Sequence, residues 1–160
     1  MKAISVVKFI AALVLCFGAS AAGAAFMSGN GPGGWYAELQ KPVITPPGWV
    51  FGPVWTILYL MMAVSLFIIW NKGLDYPGVK IAIGVFLFQL ILNAAWTPLF
   101  FGYHLILWAL IDIILLFFAI LATVIVFKKI SVYASLLLVP YLAWVGFAAV
   151  LNGLLWQMNR

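Results

Sequence analysis

Residues 105–127 read LILWALIDIILLFFAILATVIVF, twenty-three consecutive positions in which Asp112 is the single charge. At about 1.5 Å of rise per residue the stretch makes a helix of about 34 Å, enough to cross the roughly 30 Å of hydrocarbon in a bilayer. It lacks the period-two alternation of a barrel strand, and lipid offers no partner to free backbone groups, so the helix is the form that fits. Working outward, four more apolar runs of comparable length flank it, at 4–26, 47–70, 78–101 and 132–156. The sequence therefore predicts an all-α integral membrane protein: a five-transmembrane-helix bundle, one domain over residues 1–160, with a long loop at 27–46.

Composition points the same way. The 160 residues are 68% hydrophobic and 7% charged, and the mean hydropathy is +1.23, so the polar residues cannot cover a water-facing surface and a soluble enzyme is excluded. The net charge of +5 does not indicate a nucleic-acid partner, because the basic residues are scattered from Lys2 to Arg160 and build no basic face. They act as topology signals instead. With five spans, Lys2, Lys8, Lys72, Lys80, Lys128 and Lys129 fall on one side and Lys41 and Arg160 on the other. The positive-inside rule then gives a cytoplasmic N-terminus, with the loop and the C-terminus outside. The first run has a second reading as a signal peptide, since Gly18 to Ala24 are all small, but its apolar character persists to Phe26 and spans.

The loop at 27–46 holds Gly29, Gly31, Pro32, Gly33, Gly34, Pro42 and Pro46, with Trp35, Tyr36 and Leu39 as an apolar anchor, and reads as a lid on the bundle. No catalytic triad or metal cluster can be assembled from one histidine, His104, one cysteine, Cys16, and three acids. The aromatic load is the unusual feature: 8 Trp, 6 Tyr and 13 Phe. Trp35, Tyr36, Trp70, Tyr76, Tyr103 and Trp156 lie near span ends, where they serve as interfacial anchors. Others fall on helical faces: Phe51, Trp55 and Tyr59; Gln89, Asn93, Trp96 and Phe100; Trp108, Asp112 and Leu115; Tyr141, Trp144, Ala148 and Leu151. These faces carry the intramembrane polar groups and are expected to point inward. Asp112 needs a partner, expected to be Asn93, Gln89, an indole N–H or water. Pro53, Pro98 and Pro140 are expected to kink their helices and widen the bundle, leaving concave space for a flat apolar ligand.

Four ordered motifs are specific. They are Trp35-Tyr36-Ala37-Glu38-Leu39-Gln40-Lys41-Pro42, then Pro46-Pro47-Gly48-Trp49-Val50-Phe51-Gly52-Pro53-Val54-Trp55, then Asn93-Ala94-Ala95-Trp96-Thr97-Pro98-Leu99-Phe100-Phe101-Gly102, and Pro140-Tyr141-Leu142-Ala143-Trp144 with Leu151-Asn152. In these the chain closely resembles the tryptophan-rich sensory protein family, which includes the mitochondrial translocator protein or peripheral benzodiazepine receptor. The resemblance implies a bacterial-type member that forms homodimers and binds porphyrins such as protoporphyrin IX, together with benzodiazepine-type small molecules, and that requires no cofactor. It also implies a ligand pocket lined by Phe51, Gly52, Trp55, Asn93, Trp96, Trp108, Ile111, Leu115, Trp144, Ala148 and Leu151, with the first loop as lid. Some bacterial members degrade porphyrin in light, an activity that the resemblance carries to Trp55 and Trp144.

The chain departs from the family where Ile44 stands in place of a lid tryptophan, and where Gly153 and Gln157 replace the aromatic and basic residues of the mitochondrial cholesterol motif. The porphyrin-directed, bacterial-membrane reading gains from the second departure. The leading expectation is a tetrapyrrole-binding sensory or regulatory protein, with or without light-dependent turnover. The rival classes are a transporter of porphyrin or small lipids, which five spans without a repeat make hard to build, and a membrane assembly factor.

Overall fold

The computed structural model describes residues 3–27 and 34–160. Lys2 and, within the loop, Gly29, Gly31, Pro32 and Gly33 lie outside the described residues. The chain is helical as expected: α1 (Ala3–Ala24), α2 (Trp35–Glu38), α3 (Gly48–Asn71), α4 (Val79–Thr97), α5 (Ile106–Lys128), α6 (Val132–Leu137) and α7 (Val139–Met158). Among the described residues, five stretches are long and apolar enough to cross a membrane: Ala3–Met27, Gly48–Asn71, Val79–Gly102, Ile106–Lys128 and Val132–Met158.

The ends follow from local chemistry. Pro47 holds the extended φ of −55° and ψ of 141° that precedes α3, and Gly73 (φ 98°) and Gly78 (φ 84°) supply the left-handed backbone that ends α3 and starts α4. Pro98 lacks the N–H that would continue α4, and the ladder widens into a π-helical turn over Pro98–Gly102, closed by Tyr103 N donating to Pro98 O at 2.9 Å. Pro140 breaks the fifth run, separating α6 from α7 at Leu138. Pro53, by contrast, sits inside an unbroken α3.

The helices form a ring. α1 packs on α3 and α4, α4 on α5, α5 on α6 and α7, and α6 returns to α3. The core is densest away from α2, where Met62, Phe86, Phe127 and Leu138 are fully buried and Phe86 stacks on Phe127 at 5.9 Å. The Ser65 hydroxyl donates to Ala134 O at 2.7 Å and ties α3 to α6.

The phase of α5 differs from the expectation. Ala109, Asp112, Ile113, Leu116, Ala119, Ile120, Thr123 and Phe127 are buried, whereas Trp108 is 59%, Ile111 42% and Leu115 54% exposed. At 100° per residue, Asp112 sits on the edge of the buried arc. Trp108, Ile111 and Leu115 lie on its lipid-facing side, and Ile113, Leu116 and Ile120 on its core-facing side. Apart from Thr123, whose hydroxyl bonds its own helix at Ala119 O, the helix is apolar on every face and offers no other marker of phase.

Candidate functional site

Toward the α2 side the ring encloses a cavity of about 380 Å³, within the range of about 300–1,000 Å³ that small-molecule sites occupy. α3 contributes Gly48, Phe51, Gly52, Trp55, Thr56 and Tyr59 to its wall. α4 and the π turn contribute Asn93, Trp96, Thr97, Phe100 and Phe101, and α7 contributes Trp144, Val145, Ala148, Leu151, Asn152 and Leu155. Of the residues expected to form a pocket, Phe51, Gly52, Trp55, Asn93, Trp96, Trp144, Ala148 and Leu151 are therefore brought together. Trp108, Ile111 and Leu115 are not: they stand on the lipid-facing stripe of α5, and Ile113 and Leu116 form the wall in their place.

The aromatic rings hold one another. Phe51 meets Trp144 edge-on at 5.9 Å, and Trp55 lies over Tyr59 at 5.5 Å and against Tyr141 at 6.2 Å. Trp96 stacks on Phe100 at 5.0 Å. Such pairs fix ring planes as well as burying area.

The inner end of the cavity is closed by a chain of polar side chains. Tyr59 donates its hydroxyl hydrogen to Asn93 Oδ1. Asn93 Nδ2 donates to the Tyr141 hydroxyl at 2.9 Å, and that hydroxyl donates to Gln89 Oε1 at 3.0 Å. Beside it, Trp96 Nε1 donates to Asn152 Oδ1 at 3.1 Å, and Asn152 Nδ2 to Ile106 O at 3.1 Å. Apart from Gln89 Nε2, the side-chain groups in these chains are committed, so they set shape more than they offer free valences. Asp112 does not join them. Its Oδ2 is buried without a hydrogen-bond partner among the described residues, as are Gln89 Nε2 and Trp144 Nε1, so the expected pairing of Asp112 with Asn93, Gln89 or an indole is not formed.

The lid is built from α2 and the segment after it. Trp35 stacks on His104 at 4.1 Å, with the planes 13° apart, and meets Phe100 at 5.7 Å. His104 takes a positive φ of 57° to present its ring there. Tyr36 borders the cavity and packs edge-on against Phe101 at 5.7 Å, and burial pushes its phenol above the ordinary value. Lys41 lies 4.9 Å over the Tyr36 ring and donates to Ala37 O at 3.0 Å, which closes the lid on itself. Asn159 clasps the lid to the end of α7: Gln40 N donates to Asn159 Oδ1, and Asn159 Nδ2 donates to Gln40 O, each at 2.9 Å.

Sequence reasoning missed Ser20, Ala24 and Met27, through which α1 and the turn after it reach the cavity, and Asn152, Val145 and Leu155 on α7. Asn152 had a signal, being part of a motif and one turn from Ala148. Ser20 and Ala24 had none, because small residues acquire a role only once a neighbour is placed.

Comparison with known proteins agrees with this architecture. A sequence profile described as the TspO/MBR family matches residues 10–157. The chain is 42% identical over 146 residues to a Tryptophan-rich protein TspO of Chlorobaculum tepidum, covering 91% of each chain. It is 42% identical over 140 residues to the human Translocator protein, covering 86% of this chain and 82% of that one. It is also 35% identical over 121 residues to a Tryptophan-rich sensory protein of Cereibacter sphaeroides, covering 76% of this chain and 74% of that one.

Proposed function

The chain belongs to the TspO/MBR family of multi-pass membrane proteins, and on that premise we propose that it is a tetrapyrrole-binding sensory or regulatory protein of the bilayer. Protoporphyrin IX is the ligand, and Trp55 and Trp144 carry a light-dependent degradation of it. The observation that supports this reading most is the cavity itself. It holds about 380 Å³, is walled by Phe51, Trp55, Trp96 and Trp144, and among the described residues is bordered by no charged one. A large flat apolar ring system gains from burial against such walls and finds ring faces to stack on. Phe51, Gly52, Asn93, Trp96, Ala148 and Leu151 bind, with Tyr36 of the lid above them.

The chemistry follows from the indoles. A porphyrin excited by light is an oxidant and a sensitiser of dioxygen, and the electron-rich indole beside it is the group that donates an electron or steers activated oxygen onto the ring. Trp55 and Trp144 stand on facing helices and border one cavity, so both rings reach the same ligand.

Titration of the purified protein with protoporphyrin IX tests the reading. Tryptophan fluorescence is expected to be quenched saturably in the dark, and porphyrin absorbance to decay under light faster than in empty detergent micelles. Quenching that never saturates would remove the binding function. Decay equal to that in micelles would remove the catalytic one and leave a receptor.

A further inference from the structure

The cavity is shut on the lid side by the Trp35 and Tyr36 packing on Phe100 and Phe101 and by the Asn159 clasp. Its inner end is shut by the Tyr59, Asn93, Tyr141 and Gln89 chain. The flank between α1 and α3 is different. At the end remote from the lid the two helices are joined: Phe9 meets Phe67 at 5.3 Å, Ser5 Oγ donates to Asn71 Oδ1 at 3.0 Å, and Lys8 Nζ donates to Trp70 O at 3.0 Å. Toward the lid α1 changes partner. A Cβ added to Gly23 would lie 3.1 Å from Thr97 on α4, and the Phe26 ring lies against Gly102 of the π turn.

Helices that touch at one end and part at the other leave a wedge between them. Its edges are Ser20 and Ala24 on α1 and Gly48, Gly52 and Thr56 on α3, all bordering the cavity. Ala24, Gly48, Gly52 and Thr56 are also exposed, and a Cβ added to Gly52 would meet no atom within 4 Å. Ala24 is the last residue of α1 and Gly48 the first of α3, so the wide end of the wedge lies where spans meet the headgroups.

We infer that this wedge is a lateral slot through which a flat apolar ligand passes between the cavity and the bilayer leaflet on the lid's side, leaving its ionised groups in the headgroup layer. A carboxylate carried inside would find no cation among the described residues, none of the charged ones bordering the cavity, and would be desolvated without compensation. Held at the slot, it stays hydrated while the ring system slides in. A ligand dissolved in the bilayer is concentrated at this opening, and no lid motion is needed to admit it. The inference rests on the cavity being a ligand site, and does not depend on that ligand being a porphyrin.

Exchange kinetics in lipid nanodiscs test it, read by stopped-flow tryptophan quenching in the dark with protoporphyrin IX. Gly52→Leu places a side chain in open space on a helix and is expected to fold. It should slow association and release together, on the order of tenfold each, as narrowing a passage does. Asn159→Ala, which frees the lid, should leave both rates as in the wild type. Diluting the sample at constant porphyrin-to-lipid ratio should leave the association rate unchanged. The slot is overturned if Asn159→Ala accelerates both rates while Gly52→Leu alters neither, or if Gly52→Leu changes release alone, which marks a contact and not a passage. Should protoporphyrin IX fail to quench saturably in the wild type, the porphyrin reading falls by itself. The same variants are then compared with a quenching benzodiazepine, and the slot stands or falls on those rates.

Discussion

Trp55 and Trp144 share a cavity but keep different company: Trp55 leans on two tyrosines, Trp144 on Phe51 and Phe147. Phenylalanine at either position keeps an apolar face and loses the oxidisable indole. Trp55→Phe and Trp144→Phe are therefore expected to change porphyrin affinity by no more than about 1 kcal/mol, the scale of an aromatic pair, while the rate of light-driven decay falls steeply. Trp108→Phe, out on the lipid-facing stripe, is expected to alter neither. A decay rate that survives both cavity substitutions would assign the chemistry elsewhere. Asn93 makes the other residue-scale prediction. Its amide bonds both Tyr59 and Tyr141, and Asn93→Leu strands the buried Tyr59 hydroxyl at about 1–3 kcal/mol and leaves Tyr141 only the bond it donates to Gln89. Thermal unfolding in detergent should show a lowered midpoint, and an unchanged one would mean the hydroxyls find other partners.

At the scale of elements, the small residues of α1 divide into two kinds. Gly23 is buried with Thr97 in close approach, whereas Gly18 has nothing within 4 Å. Gly23→Leu should overpack the α1–α4 seam at a cost of about 1–3 kcal/mol, and Gly18→Leu should cost nothing measurable, a contrast that thermal unfolding of the two variants checks. The same division explains what was legible in the chain. Span positions could be read because hydropathy reports them directly. The inward faces of α3, α4 and α7 could be read because Tyr59, Asn93 and Tyr141 mark them with buried polar groups. On α5 the charged marker within the span, Asp112, lies at the margin of the buried arc, and taking it as the centre turned the helix toward Trp108 and Leu115. The share of α1 in the cavity was hidden because Ser20 and Ala24 differ from any lipid-facing small residue only by what stands opposite them.

For the whole molecule, orientation and association each carry a physical expectation. By the positive-inside rule, the distribution of Lys8, Lys72, Lys80, Lys128 and Lys129 against Lys41 and Arg160 predicts a lid outside the cytoplasm. A reporter fused after Arg160 should therefore be active only in its extracytoplasmic form, and cytoplasmic activity would reverse the assignment. A homodimer is expected through close helix approach at small residues. Since Gly23 is already engaged within the protomer, the free part of the α1 stripe is Gly18 with Ala22. Gly18→Leu with Ala22→Leu should shift cross-linked dimer to monomer. Unchanged cross-linking would move the seam to another helix, with the exposed Gly84 of α4 the next position to fill.

The Asn159 clasp has a practical side. It sits one residue before Arg160, so any purification handle, fluorophore or surface tether attached there pulls on the two hydrogen bonds that hold Gln40. Protein immobilised by that end would report lid stability from a clasp under tension, and two laboratories using tags of different bulk would disagree on it without either being wrong, while ligand exchange through the slot would agree. Attachment ahead of α1, whose described start is bonded through Ser5 and Lys8 to Asn71 and Trp70 at the far end of α3, leaves the measurement with the protein.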